Sequence, residues 1–437
     1  MLRSRSILLF FWMMFVGIAC HNLAQESTPL PPPGGAILNP TVIPAQTETL
    51  SETPIPTIAL ETTQSAEIPT STLPQPANRP PQSIGAPFMQ NINPLTGLPW
   101  TNPAAMNHRP IVVKISNSPA IVRPQAGIGL ADHVYEHYTE VGITRFSAVF
   151  HSETPNRVGS IRSARLIDYE IVPMYEGVLA FAGSSIGVDK RLYGSETMYD
   201  VLCGKRDDYN QCLAEADVIA PQNYVPPSEF ASRLYRGVWY GRPYYFRDEA
   251  VTVPNNLFVD LGALRSLAEA DGHAQQVNLE GMLFNPDTPP AATGSGIYLE
   301  TRYRTTFVQW HYDEATGQYY RTTDNQRHFD ELTQRQISAD NVVVVYAGHY
   351  LTDIVESGRG ENVHYSAHIA VWGEGEGIVF RDGLRYEGRW YRPLRSDMLM
   401  FFTSEGEHLY FKPGQTWFQV VPLPEQMDAE NEWVRFD

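Results

Sequence analysis

Two arginines three residues apart, Arg162 and Arg165, carry the strongest chemical signal in this sequence. Each ends in a planar fork of donors that matches phosphate or carboxylate oxygens. Ser160 and Ser163 lie beside them, and the period of Ser163 to Tyr175 predicts a helix with Ser163 as its N-cap. A helix start there would add free N–H groups and the positive end of a dipole. Arg145, on an expected strand just upstream, could converge on the same place. Asp132, Glu136 and Glu140 supply carboxylates, and on an extended strand Glu136 and Glu140 face one way. The set reads as an anion site bounded by acids, where a divalent metal could bridge acid and phosphate. No other cofactor is expected. The competing reading is an Arg–carboxylate network that braces a sheet against a helix.

Gly183-Ser-Ser-Ile-Gly187 matches G-x-S-x-G with Ser185 in the nucleophile position, and it follows an apolar strand. Asp260 and His273 would complete the chain order of a hydrolase triad, with nothing further to favour them. The plainer reading is a tight turn in which Ser185 lines a pocket or binds ligand. Two His-x-x-x-His pairs, His133/His137 and His364/His368, lack an adjacent Glu and a third ligand, so no metal site is assigned to them. Trp310, Tyr312, Trp372, Trp390, Tyr391 and Trp417 could form a sugar platform. Aromatics on strands more often build core and cross-strand pairs.

The N-terminal segment sets the compartment. Arg3 and Arg5 precede an uncharged apolar run, Ile7 to Ile18, and Val16-Gly-Ile-Ala-Cys20 ends in a cysteine. A basic end, a short apolar core and a small-residue cut site make a signal peptide, residues 1–19. Cys20 is then the expected site of lipidation, though the usual Leu three places earlier is Gly17. Residues 20–92 are rich in Pro, Thr, Ser and Gln and cannot bury enough apolar surface to fold. A flexible tether of about 70 residues spans on the order of 50 Å. Cys203 and Cys212 remain as a pair, expected to form a local disulfide in an oxidising compartment.

These groups need a scaffold. Residues 93–262 alternate apolar strands with shorter helical stretches. Pro110–Ser116, Val134–Glu140, Ile143–His151 and Gly177–Ala182 read as strands, and Pro227–Trp239 as a helix. Residues 276–422 are a succession of short β-branched and aromatic runs separated by Gly, Asp and Asn. Among them are Gly296–Tyr303, Thr306–Tyr312, Gln318–Thr322, Val342–Tyr346 and Thr416–Val421. Residues 423–437 form an acidic tail. The fold class is therefore α+β, an N-terminal α/β domain with a mixed sheet followed by a mostly antiparallel β domain. A formal charge of −17 argues against nucleic acid as a partner. Only four of the 32 basic residues are Lys, so cationic recognition falls to Arg.

Several stretches together resemble a known family. They are Asn93-Pro-Leu-Thr-Gly-Leu-Pro99, Arg123-Pro-Gln-Ala-Gly127, Ala131-Asp-His-Val-Tyr-Glu136, Glu140-Val-Gly-Ile-Thr-Arg-Phe146, Val158-Gly-Ser-Ile-Arg-Ser-Ala-Arg165, Gly388-Arg-Trp390 and Pro413-Gly-Gln-Thr-Trp417. The pattern is similar to the YerB-type bacterial lipoproteins, which carry the paired domain of unknown function DUF3048. The family commonly has Gly-Gly before Ile-Thr-Arg, where this chain has Val141-Gly142, and often Gly-Pro before Arg-Ser-Ala-Arg, where it has Gly159-Ser160-Ile161. The resemblance implies a lipid-anchored protein of the cell envelope and assigns no activity. The expectation is thus an extracytoplasmic lipoprotein that binds an anionic ligand, an envelope polymer or a protein partner. The alternative is an envelope enzyme acting on phosphate-linked or glycan polymers, or a hydrolase using Ser185.

Overall fold

The computed structural model describes residues 91–195, 225–290, 292–358 and 360–437. The expected signal peptide, Cys20, the tether as far as residue 90, and Cys203 with Cys212 lie outside them. Among the described residues no helix is long and apolar enough to cross a membrane.

Strands dominate and helices are few, which is broadly consistent with α+β. They are β1 (Ile111–Ser116), β2 (His133–Tyr138), β3 (Thr144–Phe150), β4 (Val178–Phe181), β5 (Leu234–Arg236), β6 (Tyr298–Tyr303), β7 (Thr306–Asp313) and β8 (Gln318–Thr323). Further on come β9 (Asn341–Tyr346), β10 (Gly348–Ser357), β11 (His364–Ala370), β12 (Gly373–Arg381), β13 (Leu384–Arg392), β14 (Met400–Thr403), β15 (Thr416–Val421) and β16 (Trp433–Phe436). Among the described residues the α-helices are α1 (Asp168–Met174), α2 (Ile186–Tyr193) and α3 (Leu261–Ala270).

The largest sheet has 11 strands and draws on both halves of the chain, in the order β13-β12-β9-β15-β2-β3-β1-β4-β5 with two short strands at one end. The join is a parallel pairing of β2 with β15, His133 to Glu136 against Thr416 to Gln419. The boundary between the two sequence segments is therefore not a break in the sheet. β1, β4 and β5 are mutually parallel, and β3 runs antiparallel to β1. Both faces of the central strands are covered, so β1, β2, β3 and β15 are buried at every position. This accounts for the near-continuous apolar sequence of β1 and β15.

A second, antiparallel sheet of β8, β7, β6 and β16 packs onto the first. Trp310 of β7 meets Trp417 of β15 with ring centroids 5.3 Å apart. Trp310, Trp390 and Trp417 are buried, which settles those three as core rather than sugar platform. Trp433–Phe436 of the expected tail adds an edge strand to this sheet.

One sequence-based helix is formed only in part and another not at all. Of Ser163–Tyr175 only Asp168–Met174 is helical. Residues 160–164 instead lie between β1 and β4 where those strands part beyond the Val113–Ala180 pair. Ser116 N–H donates to Ser160 O and Arg162 N–H to Lys114 O, both at 2.9 Å. On the other side Ala182 N–H donates to Arg162 O (2.9 Å) and Ala164 N–H to Gly183 O (2.8 Å). Non-local pairing of this kind outweighs a local helical period. Pro227–Trp239 likewise yields a short turn and β5, because Leu234, Tyr235 and Arg236 add to the edge of β4.

Candidate functional site

The wedge of residues 160–164 places Arg162 at the carboxyl ends of β1 and β4. In open sheets with parallel strands this is where ligand crevices form. Arg145 enters from the start of β3, opposite Ser116 in register, and Arg165 follows the wedge. The sequence reading placed Arg162 and Arg165 at a helix start; α1 begins only at Asp168, so neither lies in its first turn.

Arg165 grips Glu140 with two donors, Nε to Oε2 at 2.7 Å and Nη2 to Oε1. Its Nη1 donates to Ala164 O at 2.8 Å. Arg145 donates Nη1 to Ser163 O at 2.9 Å and approaches Glu140 Oε1 at 3.4 Å. Burial and the neighbouring Arg165 press the Arg145 pKa downward. Arg162 differs from both. It is half-buried, its Nε contacts Ser116 Oγ at 3.4 Å, and among the described residues no carboxylate lies within ion-pair distance of it.

The acids do not gather as the sequence suggested. Asp132 is buried on the lead into β2, where it accepts from Asn93 Nδ2 (2.9 Å) and from the N–H groups of His151 (2.6 Å) and Ser152 (3.0 Å). It organises a loop and does not face the arginines. Glu136 and Glu140 do not share a strand face, since β2 ends at Tyr138 and Glu140 lies in a turn with Val141 at φ +64° and Gly142 at φ +73°. Val141 is thus left-handed, a conformation that a β-branched residue adopts only under strain. Glu136 instead pairs with Arg321 of β8 at 2.8 Å.

A carboxylate from far downstream takes part. Glu356, near the end of β10, approaches Arg165 Nε at 3.5 Å and is 1% exposed. Burial raises its pKa, against the charge of Arg165. The β10–β11 hairpin that carries Glu356 packs β10 on α2 and β11 on the Glu140–Gly142 turn, so it roofs the arginines. Gly187 permits the contact with α2, because a Cβ there would meet Ile354 Cγ2 at 2.5 Å.

That packing also answers the G-x-S-x-G match. α2 does follow the turn, but Ser185 sits at φ −69°, ψ 159°, ordinary extended backbone rather than a strained elbow. Asp260 caps α3 through Ala263 N–H at 2.9 Å, and the His273 ring meets Ser232 O at 2.9 Å, so neither serves Ser185. Ser184 donates to Asp189, which Arg236 holds at 2.8 Å. The turn therefore places Ser185 beside Glu356, within the arginine cluster and without a base.

His133 and His137 are each held by other groups. His133 is buried between Tyr175 OH (2.6 Å) and Leu95 O (2.7 Å). His137 receives a hydrogen bond from Lys114 Nζ at 2.8 Å and bonds Tyr138 O. Among the described residues no three His, Cys, Asp or Glu side chains converge as a metal site would require.

Lys114 went unnoticed in the sequence as a polar group beneath the site. Fully buried in β1, it pairs with Asp168 at 2.8 Å, and Asp168 accepts the Arg165 N–H at 2.8 Å. The chain from Lys114 through Asp168 fixes the backbone that presents Arg165.

Glu140 links site and stability. Burial pushes its carboxyl up, but the hydrogen bonds and charge of Arg165, aided by Arg145, pull it down to about 2 from 4.5. A folded-state pKa below the unfolded one adds stability that is whole above about 4.5 and lost as pH falls toward about 2. In urea titrations the advantage of wild type over Glu140→Gln should therefore shrink steadily from about pH 5 to pH 3. A gap that ignores pH would count against this ion pair.

Comparisons with known proteins agree with the architecture. The DUF3048 N-terminal domain, a protein of unknown function, matches residues 95–274, and the DUF3048 C-terminal domain matches residues 297–418. A protein of Bacillus subtilis (strain 168) named "Putative lipoprotein YerB" is 26% identical over 332 residues, 75% of this chain and 86% of the relative. The crystal structure of YerB from Bacillus subtilis superimposes with a TM-score of 0.59 at 23% identity, covering 79% of this chain and 99% of that one. On the two domain matches, which span both halves of the folded part, the chain belongs to the DUF3048 family.

Proposed function

We propose that this chain is a lipid-anchored protein of the bacterial envelope that binds an anionic group, phosphate or carboxylate, at Arg162. The anchor rests on the basic and apolar N-terminal segment ending at Cys20, and on likeness to a relative named as a lipoprotein. The binding reading rests on one observation. Of the three arginines at the strand ends, Arg145 and Arg165 are held by Glu140 and by backbone carbonyls, whereas Arg162 keeps its fork free of any carboxylate among the described residues. Two committed guanidiniums beside a free one raise the local potential, and Glu140 and Glu356 offset part of it.

The test is a thermal-shift series with inorganic pyrophosphate and a short polyprenyl phosphate. Wild type should be stabilised in a concentration-dependent way, and Arg162→Ala should fold with a similar melting point but lose the shift. Arg162→Lys should recover little of it, because a single ammonium cannot form the two-pronged contact. Equal shifts in wild type and Arg162→Ala would dismiss the site.

A further inference from the structure

A second concavity lies apart from the arginine cluster and shares none of its residues. It opens where the Ile128–Leu130 turn, β8 with its partner strip Ser338–Ala339, and the turn before β15 come together, and it encloses about 450 Å³. That size is ordinary for a small-molecule site. The residues that matter are Tyr320, Asp330, Thr333, Arg335, Gln336 and Gln415.

Its walls are fixed by the protein itself. Gln415 Nε2 donates to Gly129 O and Ala131 O, each at 2.9 Å, and Gln336 Nε2 donates to Arg321 O at 2.8 Å. Asp330 accepts the N–H groups of Gly129 (2.9 Å) and Thr333 (2.8 Å). These bonds consume both amide donors of Gln415, one of the two of Gln336 and much of the carboxylate. They leave the Oε1 atoms of both glutamines as acceptors, and the Tyr320 hydroxyl, the Thr333 hydroxyl proton and the Arg335 guanidinium as donors, with no partner among the described residues. Asp330 and Arg335 balance in charge. Apart from Leu130 and the buried Ile337, little of the lining is aliphatic.

Each candidate ligand class makes a different demand. A phosphorylated ligand wants several cations, and this groove has one, offset by a carboxylate. A lipid tail wants aliphatic walls. A ligand that presents many hydroxyls and amides on stiff rings wants fixed neutral donors and acceptors beside an aromatic face. We infer that this groove is a glycan-binding subsite, with a sugar ring over Tyr320 and its hydroxyls on Gln336, Gln415 and Thr333.

The full chain should bind a β-1,4-linked N-acetylglucosamine tetramer saturably, measured by calorimetry. Tyr320→Ala should weaken that binding about tenfold, the worth of one aromatic contact. Thr333→Val keeps the side-chain shape and should weaken it several-fold, which covers the case that Tyr320→Ala folds poorly. Arg162→Ala should bind the tetramer as wild type does, so the outcome is independent of the anion site. Absence of saturable binding by wild type, or equal binding by well-folded wild type and both groove variants, would overturn the assignment.

Discussion

Glu136→Ala should cost the folded protein about 3–5 kcal/mol, because it strips the partner from a buried charge. Glu136 and Arg321 are both fully buried and meet at 2.8 Å between the two sheets. Arg321 has no access to water. Its guanidinium lies 4.9 Å from the Trp417 ring centroid, 5.4 Å from Trp310 and 5.5 Å from Phe146. Its Nε donates to His328 Nδ1 at 3.0 Å, which leaves His328 Nε2–H to donate to Gln125 Oε1. Glu136 in turn satisfies Asn117 Nδ2 (3.0 Å) and Thr144 Oγ1 (2.9 Å). The aromatic faces soften a cation's desolvation but do not replace an anion. Arg321→Met in the same chain should recover part of the loss, since it removes the buried charge left without a partner. Equilibrium urea unfolding of the single and double variants reads the effect. A Glu136→Ala variant within about 1 kcal/mol of wild type would show that this pair is not what holds the sheets together.

The sheets were readable in the sequence because their strands are fully buried. β1, β3, β4, β9 and β15 carry runs of β-branched and aromatic residues that few other environments explain. The strands that escaped notice include β10 and β13, whose exposed positions interrupt any apolar run. Residues 160–164 were misread for a different reason. Their hydrogen bonds go to Lys114, Ser116, Ala182 and Gly183, and no local period records such partners. The join of the two halves through β2 and β15 is equally silent, because parallel neighbours far apart in the chain leave no turn signal.

The site divides along the same line. Arg145, Arg162, Arg165 and Glu140 stand out by density within one short stretch, and three of them do form one ion-paired cluster with Arg162 beside it. Asp132 and Glu136 were grouped with them by proximity in sequence. Tertiary structure sends the first to a loop near Asn93 and the second to Arg321. Glu356 could not have been found, since only the folding of the β10–β11 hairpin brings it to Arg165. The signal for Lys114 was present but faint: a lone lysine, one of four in the chain, inside an apolar strand.

Lys114→Met should also be among the most damaging substitutions, at about 3–5 kcal/mol, because Asp168 would be left charged and buried. The Lys114 ammonium donates its three protons to Asp168 Oδ1, Ser147 Oγ and His137 Nε2, each at 2.8 Å. The Ser147–Lys114 contact has the makings of a nucleophile and base, but both residues are fully buried and no substrate reaches them. Their work is structural, and it extends to Arg165 through Asp168. Burial pushes the lysine down to about 8 from 10.5, against the pull of Asp168. Between those values the unfolded chain holds a proton that the folded chain has released. Stability owed to this residue therefore rises with pH across that window, and the gap between wild type and Lys114→Met should widen from about pH 8 toward pH 10. Nitrogen-15 lysine NMR should show one of the four ammonium signals titrating near 8 and disappearing in the variant. If every lysine titrates above about 10, the ammonium is better compensated than this burial allows, and the gap should stay flat instead.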